Sequence, residues 1–372
     1  MFLEHPTTDA LVHAALELKK TGDEVLFIMV GEKSNVVVPE MISGLNRHKI
    51  VFFGGIFPCV VHGDNRYEEG AVIKALPSLA APVLFRDLSS VREQLSGLKA
   101  IRETLDKQYT ALVLVDGLTA NISLFLQELF SSLGNSVHYL GGGAGSLSLI
   151  QRPCLFTAEG VFQNAAIAAF IRLQSNLGVR HGWERCSGPF VATKTSRNII
   201  MELNWENAFA VYQQAVASAS GKKLTRENFS TLAKGYPFGM LKEGAEDIVR
   251  DPISVNGRGE LLCVGEIPEN AALNLLRGDD AKLLDAAGRA ADDCLHTIEG
   301  KDAQAGLLFD CISRALFLKD FPAELRVIKS GLSSALPRIT LDGALTLGEI
   351  SSYGSKYLEF LNKTVVLGVL YR

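Results

Sequence analysis

Short apolar runs alternate with helix-like stretches along this chain, and the order of the alternation recurs. The run Val25 to Gly31 is followed by a helix-like stretch from about Pro39 to Arg47. A second run, Ile50 to Phe53, ends in Gly54-Gly55. After an irregular stretch, Glu69-Gly70 leads into the apolar Ala71 to Leu76. The next segment keeps this order: Ala111 to Gly117, helix-like Ile122 to Leu133, Ser136 to Leu140, Gly141-Gly142-Gly143, Glu159-Gly160, then Ala165 to Ile171. The offsets agree, with Gly31 to Gly117 at 86, Gly54 to Gly141 at 87 and Gly70 to Gly160 at 90. Matching offsets of this kind mark an internal repeat.

A weaker third copy lies near the C-terminus. Leu307 to Cys311 forms its first run, Leu345 to Glu349 its Gly-rich corner at Gly348, and Thr364 to Leu370 its closing run. Each unit predicts strand, helix, strand, loop, strand. The fold class is therefore α/β, with repeated units forming layered mixed sheets covered by helices. The irregular loops after the Gly corners are the expected place for a site, because backbone approaches a ligand closely where side chains are absent.

The rhythm breaks between Asn204 and Leu241. Asn207 to Ser218 reads as a helix, and Gly235-Tyr236-Pro237 punctuates the chain. This places a boundary near residue 205, giving an N-terminal domain of 1–205, with repeats at about 20–80 and 108–175, and a C-terminal domain of 206–372. Ala271 to His296 reads as one or two surface helices.

Composition narrows the function classes. Of 372 residues, 47% are hydrophobic and 21% charged, and the formal net charge is −4. No global basic field draws nucleic acid or anionic lipid. No apolar stretch reaches the roughly 18 residues of a membrane span, and no basic segment precedes an apolar run near Met1. Cys59, Cys154, Cys186, Cys263, Cys294 and Cys311 are scattered, which reads as reduced thiols in a cytoplasmic protein. Cys59 and His62 sit three apart, but no second pair at finger or knuckle spacing completes four zinc ligands.

Several phrases, taken in order, resemble a known family. Gly142-Gly143-Ala144-Gly145, Gly160, His181-Gly182-Trp183 and Val191-Ala192-Thr193 resemble the N-terminal FIST domain. Glu202 to Ala208, with Val211-Tyr212, resembles the junction between its halves. Tyr236-Pro237, Val249-Arg250-Asp251-Pro252, Gly265-Glu266-Ile267-Pro268, Cys311 to Arg314, Gly348-Glu349 and Leu361 to Thr364 resemble the C-terminal FIST domain. At the first corner the chain departs, carrying Gly54-Gly55-Ile56-Phe57-Pro58-Cys59 where many members have a small polar sequence. The resemblance implies a sensory protein that binds a small ligand, an amino acid being the usual proposal, and reports to a separate signalling partner. For a subset it implies haem, nitric oxide sensing and regulation of a histidine kinase.

The candidate residues follow from their chemistry. Arg250 offers a planar fork for a carboxylate and Asp251 a partner for an ammonium; the pair reads equally as a surface salt bridge before Pro252. Cys311 and Arg314 share a helical face, and Arg314 either binds an anion or pairs with Glu324 or Glu349. Asn362 and Thr364 either meet a ligand or fix the start of the last strand. Gly142 and Gly143 form either a tight corner or a ligand approach. His181 is the haem-ligand candidate, with His62 and His138 as rivals. Asp116 ends a run without an evident partner. No nucleophile elbow, metalloprotease helix or phosphate loop is present, so the expected role is not enzymatic. An enzyme of unrecognised class on the same fold is the alternative.

Overall fold

In a computed structural model of the chain, residues 1–19, 22–95, 98–105, 109–242, 246–353 and 357–372 are described. Three units of like design are present. Unit I comprises strand Glu24–Gly31, helix Val38–Arg47, strand Phe52–Phe57, a hairpin of Cys59–His62 and Asn65–Tyr67, and closing strand Ala71–Pro77. Unit II comprises Tyr109–Asp116, helix Ile122–Leu133, Val137–Ala144, hairpin Leu155–Thr157 with Gly160–Phe162, and Ala165–Ile171. Unit III comprises Ala303–Cys311, helices Ile312–Phe317 and Phe321–Ala335, Leu341–Thr346, hairpin Glu349–Tyr353 with Tyr357–Leu361, and Val365–Tyr371. In every unit the first two strands run parallel and the closing strand returns antiparallel to the first.

The stretch expected as a loop is a hairpin, and it leaves its own unit. The unit I hairpin pairs with the second strand of unit III, that of unit II with unit I, and that of unit III with unit II. The exchange is cyclic, so each unit completes another and each second strand gains a neighbour on its open side. An unpaired strand edge is thereby covered. The inner faces of the three sheets meet in one core that includes Phe27, Phe53, Leu112, Leu114, Leu307 and Phe309. Helices Thr8–Leu18 and Val38–Arg47 cover unit I, Ile122–Leu133 covers unit II, and Asp280–Leu295 with Phe321–Ala335 covers unit III.

Glycines make the exchange possible, and they sit inside strands rather than at corners. Gly54 pairs with Ile28, Gly141 with Val113 and Gly343 with Leu308. A Cβ at these three positions would lie 1.9, 1.8 and 1.9 Å from the paired residue's carbonyl oxygen. The third-unit counterpart is therefore Gly343. Gly348, which the sequence offset selects, lies in the turn before the hairpin.

Between units II and III the chain builds a fourth sheet, in which Glu184–Val191 pairs with Ala272–Arg277. Helix Ala208–Ser220 packs on it through Tyr212 and Val216. The side chain of Asn207 caps that helix by accepting from Ala210 N–H, which satisfies one of its free first-turn donors. Ala271 to His296 is not purely helical: Ala272–Arg277 is a strand, because Leu273 and Leu275 alternate into the core of this sheet. Helix Asp280–Leu295 follows, capped by Asp279 and buried through Leu283, Ala287 and Ala291. Strands from both sides of residue 205 share sheets, since Gln174–Arg180 pairs with Val365–Tyr371. Among the described residues, no helix is long and apolar enough to cross a membrane.

Candidate functional site

In open α/β sheets, ligands bind beyond the carboxyl ends of parallel strands. Here the strand ends of units II and III converge on one cleft. Gly117-Leu118 follows Tyr109–Asp116, Leu147 follows Val137–Ala144, Cys311-Ile312 closes Ala303–Cys311, and Leu347-Gly348 follows Leu341–Thr346; all line a cavity of about 270 Å³. The opposite wall comes from the fourth sheet through Asp251, Pro252, Ile253 and Val264. An adjoining cavity of about 430 Å³ shares Gly117, Leu118, Leu149, Ile253 and Val264 and extends to Arg197 and Glu266.

The walls are mostly apolar and the floor is not. Lys363 is fully buried. Its Nζ lies 3.0 Å from Asp251 Oδ2, donates to Lys234 O at 3.1 Å, and sits 4.9 Å above the Trp183 ring. Lys363 adopts a left-handed backbone (φ 53°), and its carbonyl accepts from Trp183 Nε1 and Arg314 Nη1. Beside it, Asp251 Oδ1 and both polar atoms of the Asn362 side chain are buried without a hydrogen-bond partner. An unsatisfied buried polar group costs roughly 1–3 kcal/mol, and native proteins contain few. Three such atoms belong to two residues that line the cavity, and four more, on His181, Asp310 and Glu324, lie outside it.

The loop over the cleft is tied down at both ends. Leu147 N–H donates to Glu32 of unit I at 3.1 Å. Asp116, which has several partners, accepts from Leu118 N–H, Gln151 Nε2 and Asn164 N–H at 3.1, 2.7 and 2.9 Å. Between these ties, Leu147, Leu149 and Ile150 stay exposed, and Leu149 is left-handed (φ 54°).

The structure brings Asp251, Cys311 and Asn362 together, although more than a hundred residues separate the first from the last. The other candidates lie elsewhere. Arg250 turns away and donates to the carbonyls of Glu266, Val249 and Phe360; burial lowers its pKa. Arg314 lies beneath the floor with no solvent contact. It pairs with Glu324 and donates to the carbonyls of His181, Lys363 and Leu283. Thr364 fixes the strand start, its N–H donating to Glu349 Oε2 and its hydroxyl to Asn362 O. Gly142 and Gly143 contact unit III backbone: Gly143 N–H donates to Gly348 O at 2.7 Å, and a Cβ on Gly142 would lie 2.8 Å from Thr346 Cγ2. Lys363 was not singled out from sequence; its signal is a lone charge between Asn362 and Thr364 at the mouth of an apolar run.

Electrostatics beneath the floor is set by burial. Asp310, Glu324 and Glu349 are all fully buried, and burial raises the pKa of each, that of Glu349 to about 8. Glu349 keeps hydrogen bonds from Thr346 Oγ1 at 2.7 Å and from Thr364 N–H. Burial, reinforced by Glu349, pushes the Cys311 thiol well above the ordinary range, so it stays protonated at neutral pH and is a poor nucleophile. Arg314 runs the other way: burial lowers its pKa, but Glu324 and Asp310 outweigh that.

His181 does not fit haem. Its Nδ1 accepts from Trp183 N–H at 2.9 Å, and its Nε2 is sealed 3.5 Å from Glu246. A Cβ on the adjacent Gly182 would lie 2.7 Å from Ala286 Cβ and from Lys282 O, so helix Asp280–Leu295 occupies the space a macrocycle needs. His62 is paired with Asp342 at 2.7 Å and stacked on Phe2. His138 Nδ1 lies 2.6 Å from Ser175 O, on a separate surface cavity.

Comparison with known proteins agrees with this architecture. A model of the FIST N domain matches residues 80–206, and one of the FIST C domain matches residues 208–352. No curated protein matches the chain significantly. FIST domains are associated with small-ligand binding and sensory signal transduction. With the two domains in tandem over most of its length, the chain belongs to the FIST family.

Proposed function

We propose that this chain is a non-enzymatic sensor whose cleft between unit II, unit III and the fourth sheet takes a small ligand and reports it to a separate signalling protein. The observation that carries the reading is the unpartnered set of Asp251 Oδ1 and the Asn362 amide on the floor of a mostly apolar cleft. A ligand head satisfies these atoms, and its apolar body covers Leu118, Leu147, Leu149 and Leu316. Because Arg250 spends its guanidinium on backbone carbonyls, the amino-acid reading lacks the arginine fork for its carboxylate. Against catalysis stand a protonated Cys311 thiol and an Asp251 already engaged by Lys363.

The output route starts at the segment Asn362-Lys363-Thr364. Turning Asn362 toward a ligand shifts the Lys363 carbonyl, which Trp183 and Arg314 hold. Arg314 is joined to helix Asp280–Leu295 through Leu283 O and to helix Phe321–Ala335 through Glu324. Those helices carry the change to the surface.

The test is a methyl NMR titration with a deproteinised cell extract, followed by mass spectrometry of the retained compound. Expected are shifts at Leu118, Leu147, Leu149 and Leu316, slowed amide exchange along both helices, and recovery of the compound unchanged. Shifts confined to another surface, or recovery of a product, would sink the proposal.

A further inference from the structure

The floor of the cleft also specifies the charge of its ligand, an inference that rests on the sensor reading above. Three charged side chains line the cavity. Asp251 and Lys363 already neutralise one another at 3.0 Å, both buried. Lys234 stands exposed at the rim, its Nζ 3.5 Å from Leu316 O. Arg197 and Glu266 belong to the adjoining cavity.

Each charged head meets a specific obstacle here. An ammonium on Asp251 Oδ1 would be the second cation on one buried carboxylate, beside Lys363. A carboxylate head would come against Asp251 on the same floor. Burying an ion without its own counter-charge is far costlier than burying a hydrogen-bonded neutral group. A zwitterion carries both penalties, because among the described residues the cation lining this cavity without a carboxylate partner is Lys234, which sits at the rim and donates to Leu316 O.

What the floor offers instead is neutral and two-sided. Asn362 has an unpaired donor, Nδ2, and an unpaired acceptor, Oδ1, and Asp251 Oδ1 adds a second acceptor. An amide presents the matching set, N–H beside C=O. We infer that the ligand is an uncharged amide or lactam with an apolar tail. Its C=O accepts from Asn362 Nδ2, and its N–H donates to Asp251 Oδ1 or Asn362 Oδ1. These atoms are sealed from solvent, so the head reaches them as Asn362 turns into the cavity. The tail lies against Leu118, Leu147, Leu149, Ile253, Leu316 and Leu347.

The experiment compares heads on like tails. Isovaleramide, caprolactam, isovalerate, isoamylamine and leucine are titrated into the full chain, and the methyls of Leu147, Leu149 and Leu316 are followed by NMR. The two neutral compounds are expected to bind about tenfold or more tighter than the three charged ones, the difference that one lost buried hydrogen bond produces. In Asn362→Leu that advantage disappears. Should Asn362→Leu fail to fold, Asn362→Asp replaces it, with isoamylamine then gaining on isovaleramide. Leu316→Asn, at a half-exposed site, adds no charge and weakens every ligand without reordering the heads.

Tighter binding of leucine, isoamylamine or isovalerate than of isovaleramide overturns the inference and leaves the sensor reading standing. If none of the five moves a cleft methyl while the cell extract still does, the ligand class is wrong and the site is right. If the extract is silent as well, both fall.

Discussion

Lys363 Nζ and Asp251 Oδ2 lie 3.0 Å apart with neither side chain in contact with bulk solvent to any useful degree, at 0% and 7% exposure. The pair joins the turn before the last strand of unit III to the fourth sheet, and so ties together two walls of the cleft. Removing one partner leaves a buried charge uncompensated, which costs about 3–5 kcal/mol. Lys363→Met is expected to lose that much in urea unfolding. Lys363→Met combined with Asp251→Leu should lose less than Lys363→Met alone. A single-variant loss below about 1 kcal/mol, the range of exposed pairs, would show that water reaches the pair.

Arg314 sits one layer deeper, where it holds Glu324 and three backbone carbonyls. Arg314→Leu strands two buried acids, Glu324 and Asp310, and is expected to cost at least about 3–5 kcal/mol or to prevent folding. Arg314→Lys keeps the charge but not the fork that reaches several carbonyls at once, so it should fall between wild type and Arg314→Leu. Adding Glu324→Leu to Arg314→Leu should recover part of the loss. The comparison is made by the midpoint of chemical unfolding, and equal stability of Arg314→Lys and wild type would refute it.

Glu349 supplies a pH signature. Burial raises its folded-state pKa from 4.5 to about 8, so the folded chain binds a proton there that the unfolded chain releases. For a raised acid, stability is fully present below pH 4.5 and declines as pH climbs toward 8, by up to about 1.4 kcal/mol per pH unit. Asp310 and Glu324, also raised by burial, add to the same slope. Glu349→Gln stays neutral and keeps an acceptor for Thr346. It should therefore gain on wild type as pH rises from 5 to 8.5, read from thermal midpoints across that range. A parallel profile for the two chains would place the titration elsewhere.

Units I and II were legible because each first strand is a near-continuous apolar run, Val25 to Gly31 and Ala111 to Val115, buried on both faces. Unit III was legible from Leu307 to Cys311 and from Thr364 to Leu370, runs that are apolar apart from Asp310 and Thr364. The cyclic exchange of hairpins was not legible, since Cys59–His62 and Glu349–Tyr353 show no clean period-two alternation, read as loops, and carry nothing that names the neighbour they join. That is also why a matching offset selected Gly348 over Gly343. In the cleft, Asp251 was readable as a charge beside Arg250 before Pro252, and Cys311 and Asn362 as side chains at the edges of apolar runs. Arg250 misled because a guanidinium that serves backbone carbonyls looks the same in sequence as one that waits for a ligand, whereas Arg314 pairs with Glu324, one of the two readings left open for it. Lys363 escaped because a buried lysine has no sequence mark apart from its apolar surroundings.

The glycines of the second strands give the most direct test of the exchange. Gly54, Gly141 and Gly343 each lie between a parallel partner of their own unit and a hairpin strand from another: Phe156 opposite Gly54, Ile350 opposite Gly141 and Val61 opposite Gly343. A methyl at any of them would come within 2 Å of a backbone carbonyl oxygen. Backbone has no rotamer by which to retreat, so the parallel pair itself must spread and the hairpin must lose register. Gly54→Ala, Gly141→Ala and Gly343→Ala should each cost more than the roughly 1–3 kcal/mol of an ordinary overpacked core, and Gly141→Ala should disturb the cleft, because its hairpin carries Glu349. Gly257→Ala is the control: nothing lies within 4 Å of a Cβ there, and removing backbone freedom from the unfolded chain makes it neutral or slightly stabilising. If the three strand variants unfold at the same urea concentration as Gly257→Ala, the parallel pairs are not as close as described and the cyclic pairing built on them fails.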